Sequence, residues 1–457
     1  MTPQTAETII QNAYVVTFDG AGRIIADGAI VINGGEIVAI GDTSDITREW
    51  TTDNRVFAGG KIAIPGLIDA HMHSAQTMMR GLITSLAQVG NLRVPTWREY
   101  YVPFEAALRA EDVELSGELA YTSMLRSGTT TFFEAGGPHP ERMAAAALST
   151  GIRGSVSLST MDGGSRIPDS MLMTRDEAVE ANVRVVESLA SGPGASPRVT
   201  GGMSLRQIIT CSPGLVVDIH REARKRNVKV HTHLVEGTYE IDHSLEQFGL
   251  RPVDYLIDLG VFDETLHCAH SVFLNDADIG QFASRGTSAC HCAKGNYAIG
   301  HPPALEMWRR GVSIGLGTDG VGSFGTLDMF RVAMLTRIGQ QLVHGTPVHN
   351  RNDVRAAEPL QMAVNGGARA MGLEKQIGSL EVGKRADIVL VATDSADAAG
   401  YSTAEAFLYD CANGSDVHTV IVDGEVVVSD REVLTADVET IARRAAERQK
   451  ELTAVIA

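Results

Sequence analysis

Two textures of apolar and polar positions divide the chain. From Glu7 to about Ile64, short β-rich runs (AYVVTFD, GRIIADGAIVIN, GEIVAIG, KIAIPG) are broken by Gly and Asp turns, which predicts a small antiparallel β module. The same texture returns after Gly378, in SLEVGKRADIVLVATD and HTVIVDGEVVVSD, so the two chain ends are expected to join as one composite β-sandwich. Between them, short apolar strands alternate with amphipathic helical stretches such as RAEDVELSGELAYTSMLRS, the pattern of βα units around a parallel sheet. Eight strands can be counted: IPGLIDAHMH, TTTFFEAG, IRGSVSLST, VTGGMSLR, VKVHTHLVE, LHCAHSV, TSACHCA and VSIGLGTD.

Eight parallel strands in one block predict an α/β fold closed as a (β/α)8 barrel, with its active site at the C-terminal strand ends. The expected domains are residues 1–64 and 376–457 for the β-sandwich, with a terminal helix, and residues 65–375 for the barrel. The Gly/Ser/Pro-rich SGPGASP reads as a surface loop, and the closing ADVETIARRAAERQKELTAVIA as an amphipathic packed or interface helix.

Composition narrows the possible partners. With 457 residues, 44% hydrophobic and 21% charged, the chain can bury a large core. Its net charge of -17, and the lack of any Lys/Arg run, argue against nucleic acid. No stretch stays apolar long enough to span a bilayer, and the start shows no basic region followed by an apolar core, so a cytoplasmic protein without membrane contact is expected. A homo-oligomer acting on a small-molecule substrate is expected as well. The five cysteines, without a C-x-x-C pair, read as reduced thiols. Cys290, His291 and Cys292 are consecutive on a strand, point to alternate faces and cannot converge on one ion.

The polar strand ends carry the candidate chemistry. His71 and His73 lie at i and i+2 of the first strand end and so share a face. His233 ends the fifth strand and Asp319, in GLGTDG, the eighth. Any one of them alone is more economically read as a hydrogen-bonded structural residue. Four ligand-type side chains at strand ends that a barrel brings together point instead to one divalent ion, with zinc preferred and ferrous iron the other choice. Glu236, just past the fifth strand, can stand beside an activated water as a proton shuttle, whereas Glu240 in the same loop reads as a solvated acid. His270, ending the sixth strand, can donate to a developing anion. His267, three residues earlier, should face away and be structural. Arg206 and Gln207 at the fourth strand end, and Trp97 in the loop after the first, are candidates for substrate contact.

The segments IPGLIDAHMHSAQTMMRGL, HTHLVEGTYE, AHSVFL, GLGTDGVGSFGTLDMFRVAML and AVNGGARAMGLEKQIGSLEVGKRADIVLV resemble the triazine hydrolase and S-adenosylhomocysteine deaminase branch of the amidohydrolase superfamily, over most of the chain. The resemblance implies a distorted (β/α)8 barrel with a composite β-sandwich, and one metal ion held by His71, His73, His233 and Asp319. It further implies that Asp319 takes the water's proton, Glu236 protonates a ring nitrogen and His270 contacts the added oxygen. No lysine stands at the fourth strand end to bridge a second ion. Two loops depart from the pattern: an H-N-P-x-S-N run is replaced by residues His291 to Asn296, and the S-N expected after GTDG by Ser323 and Phe324, which makes Ser323 a further pocket candidate. The activity so implied is hydrolytic deamination of an amino-substituted heteroaromatic (purine nucleoside, pterin, pyrimidine or triazine). The alternative on the same scaffold is hydrolysis of a C–Cl, amide or urea-type bond.

Overall fold

The computed structural model describes residues 3–192 and 195–456. The loop expected at residues 191–197 therefore lies partly outside the described residues. Strands from both chain ends form one nine-stranded sheet. Its order is Glu432–Val433, Glu425–Ser429, Val417–Val422, Ile388–Ala392, Lys61–Pro65, Thr8–Val16, Ile24–Asn33 and Glu36–Asp42, with Arg55–Phe57 also pairing with Thr8–Val16. The expected antiparallel module is in fact a mixed sheet, because Thr8–Val16 runs parallel to both Arg55–Phe57 and Lys61–Pro65. The excursion Ile24–Asp42 returns the chain in the original direction before those strands form, and strand direction of this kind cannot be read from apolar alternation.

The middle of the chain supplies two all-parallel sheets. One contains Leu67–Met72, Thr129–Glu134, Arg153–Val156 and Val199–Gly201; the other contains Met203–Leu205, Val230–Leu234, Leu266–His270, Ser288–His291 and Ile314–Leu316. The expected fourth strand is thus split at Gly202, half in each sheet. Helix Arg175–Ser191 presses on the break: a Cβ at Gly201 would come within 2.6 Å of Val186 Cα. Between the first and eighth strands a backbone hydrogen bond runs from Asp319 N to His71 O at 3.0 Å.

Buried apolar side chains fill the layer between the parallel strands and their helices, including Leu215, Ile219, Val253, Leu256 and Phe282. The C-terminal helix Val438–Ile456 packs by Ile441, Ala445 and Leu452 and is anchored by Arg448, which bonds both carboxylate oxygens of Asp112 at 2.8 and 2.9 Å. No described helix is long and apolar enough to cross a membrane.

Arg153, on the third parallel strand, ties that sheet to the nine-stranded one. It bonds Asp387 at 2.7 and 3.0 Å and Asp423 at 3.1 Å, with all three side chains at most 10% exposed. Removing the cation would leave the buried Asp387 without its ion-pair partner, while Asp423 would keep Arg385 and Arg198, so Arg153→Ala should cost roughly 3–5 kcal/mol of unfolding free energy, read from urea midpoints. A loss below about 1 kcal/mol would place the pair among the weak surface bridges.

Candidate metal centre

The motif IDAHMH and the motif GTD, 249 residues apart at Asp69 and Thr318, are bonded to each other. Thr318 donates its backbone N–H to Asp69 Oδ1 at 3.1 Å and its hydroxyl to Oδ2 at 2.6 Å, and His71 N also faces Oδ1 at 3.3 Å. This clamp sets Asp319, the residue after Thr318, opposite the two histidines of the first strand. Burial pushes the Asp69 carboxyl up to about 7, against the Thr318 donors.

The four predicted ligands converge. His71 Nε2 lies 3.1 Å and His73 Nε2 3.7 Å from Asp319 Oδ1, and His73 Nε2 lies 3.2 Å from His233 Nε2. His233 Nδ1 sits 2.7 Å from the Arg206 carbonyl, so the ring proton belongs on Nδ1 and Nε2 keeps its lone pair. Burial, with the neighbouring imidazoles and Arg206, holds all three histidines well below their ordinary pKa and therefore neutral. Among the described residues no Lys or Arg nitrogen hydrogen-bonds to any of the four, and His73 Nδ1 is buried without a partner. Neutral imidazoles and a carboxylate facing one another fit a divalent cation of borderline softness.

His270 joins the cluster from the sixth strand, its ring 5.0 Å from that of His71 and 5.3 Å from that of His233. Asn296 fixes it twice, Oδ1 to His270 Nδ1 at 2.9 Å and Nδ2 to His270 O at 3.1 Å, leaving Nε2 for the site. Burial opposes its charged form, but Glu236, Cys292 and Asp319 raise its pKa well above the ordinary value. Glu236 is half-buried beside it, and its Oε2 accepts from the Tyr239 hydroxyl at 3.1 Å, which leaves Oε1 free. The backbone at these strand ends is strained: Val235, His270, Ser271 and Asp319 all have φ between +51° and +68°. Such conformations cost on the order of 1–3 kcal/mol each, most plainly for β-branched Val235.

The remaining candidates divide. Arg206 is buried with its Nη1 3.1 Å from both oxygens of Glu105, which also accepts from Gln76 Nε2 at 2.6 Å. Trp97 is buried with its indole N–H unpartnered, beside the Tyr239 hydroxyl. Ser323 Oγ lies 3.3 Å from the Tyr101 hydroxyl, whose pKa burial and the charges of Asp319 and Glu236 push up to about 12. Gln207 does not join the cluster. It borders a small cavity with Val216, His220, Thr232 and Leu256, between strands and helices, just past the strand end at Leu205. Glu240 is not a solvated acid either: it is fully buried, accepts from Glu236 N at 3.2 Å, and burial pushes it up to about 8. His267 is structural, with both ring nitrogens 3.0 Å from partners, Ser288 Oγ and Ala70 O.

Sequence reasoning missed Asn296 as the holder of His270, Glu105 as the counter-ion of Arg206, and His231, 3.1 Å from His71. Only His231 carried a signal, since H-T-H repeats the spacing of H-M-H.

Residues 62–427 match the Amidohydrolase family, and the chain belongs to that family. It is an enzyme of the class that hydrolyses carbon–nitrogen bonds other than peptide bonds. The chain is 32% identical over 444 residues to 5-methylthioadenosine/S-adenosylhomocysteine deaminase of Desulforudis audaxviator, covering 96% of this chain and 97% of that protein. It is 31% identical over 454 residues to 5'-deoxyadenosine deaminase of Methanosarcina acetivorans, covering 98% and 99%. Among solved structures, an adenosine deaminase from Xanthomonas campestris with bound zinc superposes with a TM-score of 0.90 at 27% identity, covering 99% of this chain and 100% of that one. Triazine hydrolase from Arthrobacter aurescens, at 24% identity and a TM-score of 0.86 over 97% and 99%, shares the fold.

Behind the cluster, Glu134 accepts the backbone N–H of Ser74 at 3.0 Å and the Ser74 hydroxyl, while its Oε1 is buried without a partner. Burial pushes this carboxyl up to about 8. The folded protein then holds a proton that the unfolded chain releases above its ordinary value, so the unfolded state binds fewer protons in that window and stability falls as pH rises through it. Glu134→Gln should remove this loss: between about pH 5 and about pH 8 its urea midpoint should decline less than that of the parent. Equal declines would show that Glu134 is ionised in the folded protein.

Proposed function

We propose that the protein is a metal-dependent hydrolytic deaminase of purine nucleosides modified at the 5' position, with zinc, or else ferrous iron, held by His71, His73, His233 and Asp319. The two parallel sheets are read as one distorted barrel (residues 65–375), bridged at the Asp319–His71 hydrogen bond. The two chain ends (1–64 and 376–457) are read as its composite β-sandwich. The observation that carries the activity is Glu236, held by Tyr239 through one oxygen only, beside His270 at the edge of the histidine cluster. The names of the two relatives given above, a 5-methylthioadenosine/S-adenosylhomocysteine deaminase and a 5'-deoxyadenosine deaminase, support the substrate class.

Held by His71, His73, His233 and Asp319, a divalent ion would lower the pKa of a water there towards ~7. Asp319 would accept a proton from the water that adds to the amino-bearing carbon, and Glu236 would deliver a proton to the adjacent ring nitrogen. His270, its Nδ1 held by Asn296, steadies the added oxygen through Nε2. Asp319 passes its proton to the amino group, the hydroxyl proton returns to Glu236, and ammonia leaves with the carbonyl formed. The atoms balance as amine plus water giving lactam plus ammonia. Trp97, Arg206 and Ser323 are read as substrate contacts. Gln207 is not, given where it lies.

His71→Ala should purify with little metal under conditions where the parent is filled; full occupancy would strike it from the ligand set. Glu236→Gln should keep its metal and lose turnover by at least the ~100-fold typical of a lost general acid, assayed as ammonia released from 5'-deoxyadenosine and S-adenosylhomocysteine. Near-parental rates would assign the acid elsewhere. Chloride release from a chlorotriazine without ammonia from either nucleoside would overturn the deaminase reading.

A further inference from the structure

Barrel interiors are ordinarily filled by aliphatic side chains, yet beside the metal cluster the fifth strand places an imidazole. His231 is fully buried, and its ring lies 4.9 Å from that of His71 at an interplanar angle of 29°. His231 Nε2 is 3.1 Å from His71 Nδ1. Phe133 and His267 close two other sides, with ring centroids at 4.8 and 4.9 Å, and His231 Nδ1 is buried with no partner.

A hydrogen bond between two neutral imidazoles can run either way, and the two directions differ in what they leave on His71 Nε2. Where His231 Nε2 donates, the single proton of His71 sits on Nε2 and is directed at Asp319 Oδ1, 3.1 Å away. That ring has no lone pair left for a cation. Where His71 Nδ1 donates, its Nε2 is free to ligate, but the proton of His231 must then occupy the unpartnered Nδ1. A buried N–H without an acceptor is costly, so the first arrangement suits the metal-free protein and the second is imposed by metal.

We propose that His231 is a positioning residue for the metal: its Nε2 accepts the His71 Nδ1 proton in the loaded protein, and the two rings exchange tautomers together when metal binds. The proposal rests on the reading of His71 as a ligand and is independent of the substrate. No net proton is released by the exchange, because each ring keeps its one proton and moves it between its own nitrogens.

Zinc affinity by chelator competition, with no substrate present, tests this. His231→Phe keeps the ring volume but removes the acceptor and should weaken zinc binding by roughly 10- to 100-fold, the usual cost of losing such a partner. His231→Gln, whose side-chain carbonyl reaches the position of Nε2, should restore affinity to within about threefold of the parent. Zinc binding by His231→Phe as tight as by the parent would overturn the proposal, as would equal losses in Phe and Gln. Nitrogen-15 spectra of the parent give a test that needs no variant: His231 should carry its proton on Nε2 without zinc and on Nδ1 with it. An unchanged tautomer would overturn the proposal. Failure of the parent to bind zinc would remove the ligand reading itself, a result distinct from any of these.

Discussion

Lone pairs crowded into a buried space are the constraint on which the site depends. Asp319 Oδ1 lies 3.1 Å from His71 Nε2 and 3.7 Å from His73 Nε2, and His73 Nε2 lies 3.2 Å from His233 Nε2, inside a protein where burial keeps the imidazoles neutral. Such a group is expensive unless a cation neutralises it. The surrounding structure therefore has to hold the donors together when no cation is bound. It does so with groups that are not donors: Thr318 clamps Asp69, Arg206 O takes the His233 proton, and Asn296 brackets His270 from both sides.

Holding those side chains also requires backbone that resists its own preferences. Four left-handed residues at or past the ends of the fifth, sixth and eighth parallel strands store strain where the cluster is built. The compensation lies away from the mouth, in the aliphatic layer under the helices and in the Arg153, Asp387 and Asp423 network that fastens the parallel strands to the nine-stranded sheet. Fold and site are thus energetically separate, with stability gathered in one region and dissipated in another.

How much of this was legible in the sequence follows from the range of each interaction. The H-M-H pair was readable because strand geometry puts i and i+2 on one face, and His233, His270 and Asp319 because each closes an apolar run. The Asp69 and Thr318 pairing, the Glu105 counter-ion and the Asn296 bracket were not, since each joins residues whose separation only the folded chain cancels. Glu240 was misread for a different reason: it lies in the first turn of the helix Thr238–Phe248, on a face the fold buries, and not in a loop. Gln207 shows the limit of reasoning by strand end alone, because Arg206 and Gln207 share that end and face opposite layers. The split at Gly202 and the mixed sheet depend on packing and strand direction, which leave no trace in apolar spacing.

The shape of the site bears on which leaving groups it can expel. Trp97, Tyr101 and Tyr239 surround Glu236 and Asp319 with largely buried aromatic rings, which raises the strength of every charge inside. Chloride leaves as a stable anion and gains little from an acid. An amine leaves only once protonated, and so needs proton carriers on both sides of the reacting carbon. On the proposed reading Asp319 and Glu236 are those carriers, and Glu236, Cys292 and Asp319 hold the neighbouring His270 towards its charged form. Two carboxylates and an imidazole in the proposed roles exceed what halide loss needs and suit amine loss.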